Sequence, residues 1–150
     1  MLLKTKNNIK LTIEEQKLLY NKCRKIKFNI PVDVTIIKNS KLSHKKGSGM
    51  AMFSMLHPNT IYICSDEDVE DEDLIGKIGH ELIHRADYFT YNFLQYVFMV
   101  QPGIRNIYLE PQAYEYEKYI KKCFRTKTYM DSVANAKLRK KEHLDRKNSS

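Results

Sequence analysis

The stretch Asp71-Glu72-Asp73-Leu74-Ile75-Gly76-Lys77-Ile78-Gly79-His80-Glu81-Leu82-Ile83-His84-Arg85-Ala86-Asp87-Tyr88-Phe89 decides how this chain is read. Its apolar residues recur at the helical period, which predicts a helix from about Glu72 to Tyr91. On a helical wheel, Leu74, Ile75, Ile78, Leu82, Ile83, Ala86 and Phe89 fall on one broad arc, and His80, Glu81, His84, Asp87 and Tyr88 on the complementary one. Seven acids in the eight positions 66–73 lead into it. Negative charge is favoured at a helix N-terminus, and the spacing and turn glycine of a calcium-binding loop are missing, so the acids read as the helix start. Gly76 and Gly79 each cost about 1 kcal/mol relative to alanine in a helix interior. Gly79 directly precedes His80, which predicts that a strand or a substrate backbone comes close there.

Histidines four apart lie one above the other on a helix, so His80 and His84 can reach the same ion. Glu81 is turned about 100° away, beside the ion rather than on it. Zinc in such a site lowers the pKa of a bound water to about 7, and the glutamate takes its proton as the oxygen attacks a peptide carbonyl. A catalytic zinc takes a third protein ligand and keeps an open position. No histidine lies between His84 and His143, and His143 sits in a basic tail. The carboxylates rank Glu110, then Glu117, then Asp87. Glu110 opens the last main helix, Glu117 lies two turns along the same face, and Glu115 points elsewhere. Asp87, one turn past His84, is also placed to orient a histidine through its second nitrogen. Tyr91, Tyr108 and Tyr114 are candidate hydroxyl donors to a tetrahedral oxyanion.

Upstream, residues 12–28 predict an amphipathic helix capped by Thr12, with Glu15 completing a capping box and Leu18, Leu19, Cys23 and Ile26 as its apolar stripe. The β-branched run Val32 to Lys38 predicts a strand, and Asn39 to Ser48 an exposed loop. Gly49 to Leu56 and Thr60 to Cys64, separated by His57-Pro58-Asn59, predict a hairpin or adjacent strands. After the central helix an apolar continuation runs through Val100 to Gln101-Pro102-Gly103, and a last main helix spans about Pro111 to Phe124. The fold class is α+β. The domain is expected over residues 1–135, with 136–150 a basic tail that is either a solvated helix or disordered.

The 150 residues fit one domain. No run approaches the roughly 18 consecutive apolar residues that span a bilayer, and the N-terminus does not read as a signal peptide, so the expectation is a cytoplasmic protein with no membrane partner. Three widely spaced cysteines, Cys23, Cys64 and Cys123, argue against a disulfide framework and against a cysteine-rich zinc site. The net charge of +8 admits nucleic acid as a partner. However, the excess concentrates at the two ends and is mostly lysine, which lacks the forked geometry that reads bases or phosphates.

The order helix, strand, hairpin strands, H-E-L-I-H helix and following E-x-x-A-Y helix resembles the minimal zincin metallopeptidases of the small glutamate type, and is broadly similar to SprT-like and ImmA/IrrE-like domains. The resemblance covers about residues 12–124. It implies a small mixed sheet of about three strands packed on an active-site helix and flanking helices. It also implies Zn2+ held by His80, His84 and Glu110, with Glu81 as the base and a protein or peptide as substrate. An extended substrate would pair with the sheet edge, for which Gly49 to Met55 is the candidate strand, with Met50, Met52, Phe53 and Met55 near it. The chain departs from the SprT-like pattern in having no third histidine, and Pro111 puts Glu110 at the cap of its helix. Two other function classes compete. One is a non-catalytic zinc or protein-binding module on the same scaffold, which would have no use for Glu81. The other is a basic nucleic-acid-associated protein.

Overall fold

The computed structural model describes residues 7–149. The elements run β1 (Asn8–Lys10), α1 (Ile13–Lys25), β2 (Thr35–Asn39), β3 (Ala51–Phe53), β4 (Thr60–Ile63), α2 (Asp71–Thr90), α3 (Phe93–Met99), α4 (Ile104–Tyr108) and α5 (Glu110–Asn148). The fold is α+β: one mixed sheet of four strands in the order β1-β2-β4-β3, with five helices. The sheet has one strand more than the sequence reading expects, because β1 pairs antiparallel with β2 through only three residues. So short a segment carries no periodicity of its own.

β4 is central, parallel to β2 and antiparallel to β3. Buried on both faces, it reads as a continuous apolar run. Ile61 and Ile63 join Ile36, Leu19, Cys23, Ile75, Ile78 and Ile120 in the main core between sheet and helices. Tyr62 and Cys64 point the other way, onto Leu42, where Met50 and Met52 pack. Leu42, Ser43 and Asn39 are buried, so the segment expected as an exposed loop is partly folded under the sheet. Asn39 is held there because its amide nitrogen donates to Asn8 and its carbonyl accepts from the Lys41 N–H.

Local chemistry fixes the ends of α1. Thr12 accepts from the Glu15 N–H and Glu15 accepts from the Thr12 N–H, the reciprocal capping box. The helix stops at Lys25, short of the expected end. Lys27 turns left-handed (φ 58°), Phe28 N–H donates to Cys23 O and Lys27 N–H to Arg24 O, which is the Schellman arrangement. Leu18 is 55% exposed and so lies off the buried stripe. β2 likewise starts later than expected, because Val34 N–H bonds back to Pro31 O in a turn that leaves Val32 in solvent.

α2 matches its expected span, with Asp71, Glu72 and Asp73 in its first turn. The apolar continuation is a separate helix, since Asn92 caps α3 with Gln95 in a second capping box. α5 packs along α2 and runs unbroken to Asn148, so positions 136–148 form a solvated helix. Among the described residues no helix is long and apolar enough to cross a membrane. The three cysteines are free, Cys23 and Cys64 buried and Cys123 partly so.

Candidate metal centre

The contact of α2 with α5 builds the site. At Gly79 a Cβ would stand 2.1 Å from Ile120 Cδ1, and at Gly76 3.0 Å from Lys121 Cε. The close approach foreseen at Gly79 is therefore real, but its partner is α5 rather than a strand or a substrate. It brings the polar arc of α2 under the start of α5, and His80, Glu81 and His84 end only 3%, 8% and 2% exposed.

His84 Nε2 lies 3.1 Å from His80 Nε2. Glu110, the first residue of α5, places Oε2 3.1 Å from His80 Nε2 and Oε1 3.1 Å from His84 Nε2. On the other side of the ring, His80 Nδ1 is 3.0 Å from Glu117 Oε2. A carboxylate only accepts, so in the tautomer that carries its proton on Nδ1 His80 donates to Glu117, and Nε2 presents a lone pair to the shared corner. Glu117 is itself held by Lys77 and Lys121. Burial, reinforced by the Lys77 charge, lowers His80 from its ordinary value, and burial likewise lowers His84. Neutral imidazole is the form that binds metals. Burial works to raise Glu110, but the Arg105 hydrogen bond leads the effects that outweigh it and hold the carboxylate below its usual range. Two neutral imidazoles and an ionised carboxylate thus converge, a donor set suited to a cation.

Glu81 faces differently. Its Oε2 accepts the Phe53 N–H at 2.9 Å, and burial pushes its carboxyl up to about 7. The ligand atoms of His80, Glu81 and His84 all lie within 4.8 Å of one another, a group that could hold a metal ion. Glu81 also lines an open cleft of about 400 Å³ with Ala51, Phe53, Met55, Tyr96 and Arg105. The chain matches no family model, and no curated protein or solved structure is significantly similar to it.

Of the candidates named from sequence, His80, His84 and Glu110 meet at one corner, with Glu81 beside it. Glu117 stands behind His80, orienting it. Asp87 makes neither contact; its Oδ2 is buried without a hydrogen-bond partner among the described residues, as is His84 Nδ1. Glu115 and His143 are exposed. The tyrosines sort differently from expectation. Tyr91 and Tyr108 line a separate apolar depression, and Tyr114 lays its ring edge-on to His80 with centroids 4.6 Å apart. Tyr96 is the tyrosine in the cleft, its hydroxyl pushed up to about 12 by burial. Sequence reasoning passed over Tyr96 and Arg105. A signal existed for the second, since Arg105 is the lone charged residue between Asp87 and Glu110.

Proposed function

We propose that this protein is a zinc-dependent peptidase of the minimal zincin type. The observation that carries the reading is that His80 Nε2 and His84 Nε2 stand 3.1 Å apart and each lies 3.1 Å from an oxygen of the Glu110 carboxylate, Oε2 for His80 and Oε1 for His84. Ligands about 2.0–2.1 Å from a tetrahedral zinc stand about 3.3 Å from one another, so these residues fit that ion. Bound there, zinc would supply Lewis acidity to a carbonyl and acidity to a water.

The protein's own groups do the rest. Glu81 takes the proton of the attacking water at its carboxylate and returns it to the leaving amine. The Phe53 N–H fixes the Glu81 rotamer against the cleft wall. Met50 and Met52 turn their peptide groups toward β4, as the bond from Cys64 N–H to Met50 O and the Met52–Tyr62 register require. The Ala51 N–H and C=O and the Phe53 C=O therefore face the free edge, where an extended peptide can add as a strand beside Glu81, while the Phe53 N–H is taken by Glu81 itself. Tyr96 is the hydroxyl donor of the cleft suited to a developing oxyanion.

Zinc content and proteolysis of a generic unfolded protein, measured on wild type and Glu81→Gln, test the reading. The expected result is about one zinc in each protein and cleavage by wild type alone. Wild type that binds no zinc, or equal cleavage by both, rejects it.

A further inference from the structure

The side chain of Arg105 sits between the cleft and the site. Its Nε donates to Glu110 Oε1 at 2.6 Å, and the same residue lines the cleft with Glu81 and Tyr96. Glu110 needs such a partner more than a ligand within a helix would. It is the first residue of α5 and is followed by Pro111, while Leu109 before it makes no side-chain cap. No preceding turn of α5 restrains the Glu110 side chain, and three torsions separate its carboxylate from the backbone that α2 and α5 hold in place.

The chain builds a dedicated element for this. Gly103 has φ 75° and ψ −53°, and Ile104 N–H donates to Pro102 O at 2.7 Å, a γ-turn that separates α3 from α4. The turn places Arg105 in the first turn of α4. Leu109 N–H bonds back to Arg105 O, tying α4 to the start of α5. The arginine and its carboxylate thus hang from the two ends of the six-residue segment 105–110.

We propose that Arg105 is a positioning residue that clamps Glu110 as a metal ligand: the guanidinium holds one carboxylate oxygen and so presents the carboxylate to the corner shared with His80 and His84. The proposal rests on the metal site argued above. Bonding partners of metal ligands commonly set affinity by one to two orders of magnitude. A guanidinium suits the task because its planar fork fixes direction, which the point charge of a lysine does not.

Chelator-competition titration with zinc, run on wild type, Arg105→Gln and Arg105→Lys alongside thermal unfolding of the metal-free proteins, tests it. Arg105→Gln is expected to bind zinc about 10–100-fold more weakly, with Arg105→Lys in between. The metal-free unfolding midpoint of Arg105→Gln is expected within about 3 °C of wild type, because the pair is part-exposed and such pairs add little stability. Zinc binding by Arg105→Gln as tight as wild type overturns the clamp and leaves the site standing. A metal-free midpoint that falls well beyond that margin assigns Arg105 a structural role and also overturns it. No zinc on wild type removes the site itself, and the clamp with it.

Discussion

The backbone N–H of Phe53 donates to Glu81 Oε2 across the boundary between β3 and α2, at 2.9 Å. This bond joins the free edge of the sheet to the residue that stands beside the histidine pair. It makes the sheet edge and the site one unit, although the two residues lie 28 positions apart.

Glu117 gives the first prediction. Glu117→Ala removes the acceptor of His80 Nδ1 and is expected to lower zinc affinity about 10–100-fold without touching the corner formed by His80 Nε2, His84 Nε2 and Glu110. Glu115→Ala, two residues away on the exposed face, is the control and should bind as wild type does. Indistinguishable titrations for the two variants would contradict an orienting role for Glu117.

The two helix glycines should respond unequally to alanine. At Gly79 the new methyl meets Ile120, itself 2% exposed, and overpacking of that kind costs about 1–3 kcal/mol. At Gly76 it meets the flexible Lys121 stem and, at 3.3 Å, Glu117 Cγ, and the gain in helix propensity of about 1 kcal/mol offsets the adjustment of these two side chains. Urea unfolding should place Gly79→Ala clearly below Gly76→Ala; the reverse order would mean that α5 does not pack on α2 as described.

Gly103→Ala isolates a backbone effect. A Cβ there has nothing within 4 Å, so any loss comes from holding a side chain at φ 75°. The expected destabilisation is about 1–3 kcal/mol by denaturant unfolding. No change in stability would count against the γ-turn.

The cap of α1 is expected to be pH-sensitive. Thr12→Ala should cost about 1 kcal/mol. The hydrogen bond from Lys38, then that from Thr12, hold the Glu15 carboxyl below its ordinary value of 4.5. A depressed folded pKa means that this stabilisation is complete above 4.5 and is lost as pH falls through the lower folded value. Unfolding curves over that window should fall less steeply for Glu15→Gln than for wild type, and parallel curves would show that the Lys38 and Thr12 bonds to Glu15 add no pH-dependent stability.

Thiol labelling provides the last test. Burial pushes the Cys23 thiol up to about 12, and its side chain is 1% exposed. At about pH 8, Cys123 should alkylate first and Cys23 only on unfolding. Early modification of Cys23 in the native protein would contradict its place in the core.

Sequence by itself determined what is local. The spacing of His80, Glu81 and His84, the acids before Asp71 and the Thr12–Glu15 box are helix properties, because a 3.6-residue period fixes which side chains share a face. The α+β class followed from the same periodicities, although β1 and α4 were too short to show any. The tertiary structure alone decided how the carboxylates divide their work. Glu110 and Glu117 stand two turns apart on one face of α5, and nothing in that spacing says which meets Nε2 and which Nδ1 of His80. The crossing at Gly76 and Gly79 settles it by setting how closely and at what height α5 passes α2. Arg105 became meaningful for the same reason: its partner is fixed by a turn at Gly103 and by the start of another helix, contacts that no single period encodes.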